Sequence, residues 1–153
     1  PGINAKMSEI NAAFGLLQLE RMPHVMQRRG EIDAYYREQL AHVPGITCLP
    51  QGHQTVANHS YFPILVGPEY PLNRDALYEK LKEHGIHARR YFYPLISDFP
   101  MYKSLPSSTA ETVKEAKVSA ANVLCLPIFP ALTPADQNKI LYTIKNINQK
   151  ENA

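Results

Sequence analysis

Arg89 and Arg90 stand side by side in the run Ala88-Arg89-Arg90-Tyr91-Phe92-Tyr93-Pro94-Leu95, the densest grouping of binding chemistry in the chain. A guanidinium offers a planar fork of donors that takes phosphate or carboxylate bidentately, and a tyrosine can stack on a flat ligand or hydrogen-bond a sugar-like one. In an extended segment neighbouring side chains alternate, so at least one of the two arginines can equally be a solvated surface charge, with the aromatics in the core. Asp98, beside aromatics in the same loop, is a further candidate, although a turn explains it as simply. The opening Gly2-Ile3-Asn4-Ala5-Lys6-Met7-Ser8 is a polar turn leading into a helix. Backbone N–H groups at a helix start favour anions, and Asn4 and Lys6 could add two donors. An ordinary capped helix start would use the same residues.

Other chemistries lack their residues. There is no Gly-x-Gly-x-x-Gly, Walker loop or Gly-x-Ser-x-Gly, so no self-contained catalytic set can be assembled. The six histidines show no helical metal-ligand spacing, and no metal site is expected. Cys48 and Cys125 are isolated thiols, which suits a reducing compartment and small buried hydrophobes. Sixteen Lys and Arg against fourteen Asp and Glu leave a net charge of +2 without a basic stripe, so nucleic acid is not an expected partner. No apolar run reaches the length of a membrane span and no signal peptide is visible, which makes a cytoplasmic protein the expectation.

The elements that must position these residues follow from caps and periodicity. Ser8 is an N-cap for a first helix through Ile10, Phe14, Leu16, Leu17 and Leu19, whose apolar residues surround the axis and so need cover on most sides. Pro23 predicts a break or kink, with a second helix over 24–43 ended by Pro44-Gly45. A strand is expected over 46–49, a loop over 51–58, and a second strand over 60–66, where Pro63 suggests an edge position or bulge. Asn73 caps the next helix, Leu72 and Leu77 can staple it, and Gly85 stands where left-handed geometry ends it. A strand over 86–91 should follow, then a structured loop over 93–107, a helix over 109–122 and an extended piece over 123–126. Thr133-Pro134-Ala135-Asp136 starts the last helix, with a cap, Pro at N1 and an acid in the first turn. A chain of 153 residues with few strands among helices predicts an α/β (α+β) layer.

The spacing Gly2-x-Asn4-x-Lys6-Met7-Ser8-Glu9, followed by Ala12-Ala13 and Gln18-Leu19, resembles the DegT/DnrJ/EryC1/StrS family of fold-type-I aminotransferases, which act on nucleotide-linked keto sugars. Arg28-Arg29, Tyr36, Arg74-Asp75 with Leu81, Gly85-Ile86, Tyr93-Pro94-Leu95, Pro100-x-Tyr102, Leu126-Pro127 and Pro130-x-Leu132-Thr133 extend the match over nearly the whole chain. The aromatic run from Ala88 to Leu95 is similar to members acting on dTDP-linked 6-deoxy-ketohexoses.

The resemblance implies the C-terminal part of such an enzyme. Residues 1–45 would be interface helices linking to an N-terminal large domain missing from the chain, and residues 46–153 the small domain, a few-stranded sheet packed with helices. It implies a homodimer with pyridoxal 5'-phosphate between subunits, Asn4 on the cofactor phosphate, and Lys6 in place of the usual substrate-reaching arginine. From the aromatic run only Tyr93 carries over as a substrate contact, while Arg89 and Arg90 are substrate-binding candidates by their guanidinium chemistry. The reaction would move an amino group from glutamate (or glutamine) to the sugar. The family's Schiff-base lysine follows a Ser-x-x-Lys pattern upstream, and no such pattern occurs here; the chain alone is therefore expected to be inactive. A sugar dehydratase of the same family and a non-catalytic α/β interaction module are the alternatives.

Overall fold

The computed structural model describes residues 5–50 and 57–147. Among them lie four helices, α1 (Glu9–Leu40), α2 (Arg74–Glu83), α3 (Lys114–Asn122) and α4 (Pro134–Lys145). Three strands, β1 (Ile46–Cys48), β2 (Phe62–Val66) and β3 (Val123–Leu126), form one antiparallel sheet in the order β1-β2-β3. The α+β expectation holds.

Local signals set most boundaries. Ser8, Asn73 and Thr133 each accept a hydrogen bond from the backbone N–H three residues on, capping α1, α2 and α4. After α2, Gly85 at φ 71° lets Gly85 N–H reach Lys82 O and Ile86 N–H reach Leu81 O, both at 2.9 Å. That double closure satisfies the last carbonyls and sets Ile86 on Leu81 in the core.

Phe62, Ile64 and Val66 share one face of β2 and are buried against Ile32, Tyr36 and Leu40 of α1, Leu77 and Leu81 of α2, and Ile140 and Ile144 of α4. Each such aliphatic or aromatic side chain gains about 1.5–3 kcal/mol on full burial, so this face dominates the stability. Buried phenols keep partners: Tyr36 donates to Pro127 O at 3.0 Å and Tyr70 to Ile144 O at 2.7 Å. Buried Asp33 takes Arg37 Nε at 2.6 Å, and Arg37 in turn donates to Leu49 O, tying α1 to the end of β1.

Four expectations are corrected. Pro23 does not break the first helix, because α1 runs through it as one 32-residue element. The lost proline bond frees the carbonyl of Leu19, which lies in an exposed stretch where water can satisfy it. β2 is the central strand, not an edge. Pro63 is tolerated there because Cys125, its partner on β3, gives both backbone groups to Arg89 on its other side, at 2.9 and 2.8 Å. The pair Pro63–Cys125 is thus a non-hydrogen-bonded one, and the missing N–H faces β1 beyond its last partner pair, Cys48–Ile64.

The strand over 86–91 reduces to that single Arg89–Cys125 bridge. The next ladder positions fail on both sides: Pro127 has no N–H to donate, and Val123 O accepts from the Arg74 guanidinium at 3.3 Å. The helix over 109–122 begins only at Lys114, since Thr109 draws the 112 amide into a local turn at 3.3 Å.

Candidate functional site

The Arg89–Cys125 bridge sends Arg89 and Arg90 to opposite sides of the segment that leaves α2. Arg89 opens onto a cavity of about 620 Å³ whose rim carries Tyr61, His87, Tyr91, Phe129 and Lys139. Tyr61 and Tyr91 meet edge to face with centroids 5.2 Å apart, and Tyr91 leans on Phe92 at 4.9 Å. The Arg89 guanidinium donates to the Tyr91 hydroxyl and remains exposed. Cys125 lies in the wall, where burial pushes its thiol up and the Tyr91 backbone N–H offsets part of that shift. An exposed cation beside two tyrosines suits an anionic ligand carrying a ring.

Arg90 turns the other way, to α2. Its Nη1 lies 2.8 Å from Asp75 Oδ1, and its guanidinium sits 4.4 Å from the Tyr78 ring centre and 5.4 Å from that of Tyr93. Arg74 flanks Tyr93 as well, 4.9 Å from the ring centre, and its Nε is 2.9 Å from the same Asp75 oxygen. Buried Arg74 Nε has no partner of hydrogen-bond geometry, so its attraction to Asp75 is coulombic. Tyr93 is half exposed, with its ring held and its hydroxyl without a hydrogen-bond partner among the described residues.

The sequence-predicted residues therefore divide. Arg90 and Tyr93 are together, Arg89 is on the cavity side, and exposed Lys6 lies ahead of α1 without a polar contact among the described residues. Asn4 lies outside the described residues. Asp98 belongs to a short 3-10 turn (Ile96–Asp98) and faces Lys117 at 3.9 Å. Sequence reasoning missed Tyr61 and Lys139 at the cavity and the linking role of Asp75, which stands out in the sequence only as part of the Arg74-Asp75 pair. The residues lining the cavity do not fit pyridoxal phosphate by themselves. Lys139, the lysine there, is exposed on α4 and so lacks the hydrophobic burial that is one of the ways a Schiff-base amine is activated. No catalytic step through the cofactor follows from this chain alone.

Residues 1–145 match the DegT/DnrJ/EryC1/StrS aminotransferase family. Over 132 residues the chain is 49% identical to the dTDP-4-amino-4,6-dideoxy-D-glucose transaminase of Escherichia coli, covering 86% of this chain and 36% of that enzyme. A crystal structure of DesI in the presence of its TDP-sugar product superposes with a TM-score of 0.78 at 32% identity, over 94% of this chain and 36% of that one. The PLP-form of the putative sugar aminotransferase Spr1654 from Streptococcus pneumoniae shares the fold, with a TM-score of 0.82 at 24% identity over 96% of this chain and 37% of that one. The chain spans about a third of the length of the curated relatives it matches. No described helix is long and apolar enough to cross a membrane. This chain belongs to the DegT/DnrJ/EryC1/StrS aminotransferase family, a pyridoxal-phosphate-dependent one, and matches a C-terminal-like portion of its full-length members.

Proposed function

We propose that this chain is the C-terminal part of an aminotransferase that moves an amino group from glutamate (or glutamine) to a dTDP-linked keto-6-deoxyhexose. The observation that carries the reading is the 49% identity to a dTDP-4-amino-4,6-dideoxy-D-glucose transaminase. The cluster of Arg89, Tyr61 and Tyr91 around a cavity supports it, because a nucleotide sugar brings both negative charge and flat or ring-shaped surfaces. Arg89 would take a phosphate oxygen and Tyr93 a sugar hydroxyl, with Arg90 backing Tyr93. Lys6 would add a charge from the segment before α1, and Asn4 would reach the cofactor phosphate of a neighbouring subunit in a homodimer.

Pyridoxal phosphate, when bound, supplies the electron sink for amino transfer. The residues of this chain bind and orient the sugar substrate, and residues 1–45 join it to the larger domain and to the second subunit. The full-length enzyme, incubated with dTDP-4-keto-6-deoxy-D-glucose and glutamate, should yield the amino sugar. Absence of product with either amino donor would reject the reading. The 153-residue chain alone should retain no pyridoxal phosphate after borohydride reduction, as judged by intact mass. A stoichiometric adduct on one of its lysines would contradict its assignment as the non-catalytic part.

A further inference from the structure

We infer that Asp75 is a positioning residue for Tyr93, acting through Arg74 and Arg90; the inference rests on the reading of Tyr93 as a substrate contact. A single carboxylate oxygen lies 2.9 Å from Arg74 Nε and 2.8 Å from Arg90 Nη1. Both guanidiniums flank the Tyr93 ring, at 4.9 and 5.4 Å from its centre. Two cations beside one ring repel each other, and an anion between them removes that repulsion. Arg74 is fixed independently, 3% exposed and donating to Val123 O. Arg90 leans on Tyr78, one turn along α2 from Asp75. Asp75 therefore locks a loop residue to the first turn of α2, and the Tyr93 hydroxyl, on a half-exposed side chain, has no hydrogen-bond partner among the described residues.

Asp75 is itself more than half exposed, but it faces the buried Arg74 guanidinium, so Asp75→Asn should lower the melting temperature, and a circular dichroism spectrum matching the parent's is required of it before the assays below are read. Without its charge the arginines should part, and Tyr93 should lose its fixed setting. A tyrosine that must be ordered by substrate rather than by the protein weakens binding and leaves the later transfer step alone.

The test uses the full-length enzyme with 3-fluorotyrosine incorporated, the residue-93 resonance being assigned by its disappearance in Tyr93→Phe. Asp75→Asn should move that resonance toward the free tyrosine position and narrow it. In steady-state assays with dTDP-4-keto-6-deoxy-D-glucose and glutamate, Asp75→Asn should raise KM for the sugar about tenfold, with kcat and KM for glutamate unchanged within about twofold. Tyr93→Phe should do the same, the double variant should be no worse than Tyr93→Phe, and Asp75→Glu should restore most of the loss. An unmoved residue-93 resonance in Asp75→Asn overturns the inference, as does full additivity in the double variant. If the resonance moves but Tyr93→Phe leaves the sugar KM unchanged, the reading of Tyr93 as a substrate contact fails, and the positioning role for substrate falls with it.

Discussion

Arg89 and Cys125 exchange both backbone hydrogen bonds, at 2.9 and 2.8 Å, and this one pairing assigns the two adjacent arginines to different sides. Cys125 and Arg89 face the cavity, while Arg90 falls on the α2 side with Asp75. The two should therefore fail differently. Arg90→Ala should lower stability by about 0.5–1 kcal/mol through loss of a partly exposed ion pair and its ring contacts. Arg89→Ala should leave thermal stability within about 0.5 kcal/mol of the parent. It should weaken dTDP binding to the full-length enzyme by about tenfold to a hundredfold, the worth of a charged hydrogen bond. Melting curves beside dTDP titrations separate the two, and interchanged behaviour would mean that the cavity is not the nucleotide side.

Gly45 and Gly85 both adopt positive φ, at 73° and 71°, yet they should respond unequally to alanine. A Cβ on Gly45 would lie 2.1 Å from Tyr70 N and 2.6 Å from Tyr70 Cβ, inside backbone that cannot yield. Gly45→Ala should cost more than about 3 kcal/mol. Gly85 has nothing within 4 Å, so Gly85→Ala should cost only the left-handed backbone strain, about 1–2 kcal/mol. Urea midpoints measured on both variants check the ratio.

Tyr70 gives the fold an alkaline limit. Burial pushes its phenol from 10 up to about 12, and burial raises Tyr36 further still. A raised value means that the folded state prefers the protonated phenol. The contribution is thus fully present below pH 10 and is lost as pH rises through the folded value. Stability should fall between pH 10 and about 12, by at most about 1.4 kcal/mol per pH unit for each phenol. Tyr70→Phe should cost about 1 kcal/mol near neutral pH, for the lost bond to Ile144 O, and should shallow that alkaline slope. Denaturant midpoints from pH 8 to about pH 12 test both halves; an unchanged slope in Tyr70→Phe would exclude Tyr70 as its source.

The parts of this fold legible in the sequence are those whose causes are local. Asn73 and Gly85 bracket α2 through bonds spanning three to five residues, and Thr133 starts α4 the same way. The predictions that failed depended on distant partners. Pro63 can sit in a central strand only because Arg89, twenty-six residues on, takes up both backbone groups of Cys125. The strand over 86–91 is shortened by Pro127 and by the claim of Arg74 on Val123 O, neither of which shows in its own composition. At the candidate site, residue types were legible and their grouping was not. The Arg89-Arg90 pair and Tyr93 could be named, but Asp75 acquires its role only when folding brings it to Arg90.

The first half of α1 is where the described chain most needs a covering surface. Ile10, Phe14, Leu16, Leu17 and Leu19 are all more than half exposed, and the residues of α1 that enter the core begin only at Ile32. Ile10, Phe14 and Leu17 follow i, i+4, i+7 along one stripe, while Leu16 and Leu19 face another way, so cover is needed on more than one side. Each of these side chains gains about 1.5–3 kcal/mol when buried, and a patch of this size is unusual on a monomer. In the full-length enzyme we expect the stripe of Phe14 and Leu17 to meet a second subunit. Phe14→Asp with Leu17→Asp should then convert a dimer into a monomer in sedimentation velocity at micromolar concentration, while the core around Ile32 and Tyr36 keeps its circular dichroism. Retention of the dimer, together with a drop in melting temperature, would show instead that the stripe is covered by the rest of the same polypeptide. A wild-type protein that sediments as a monomer with this helix protected from hydrogen exchange would lead to the same conclusion.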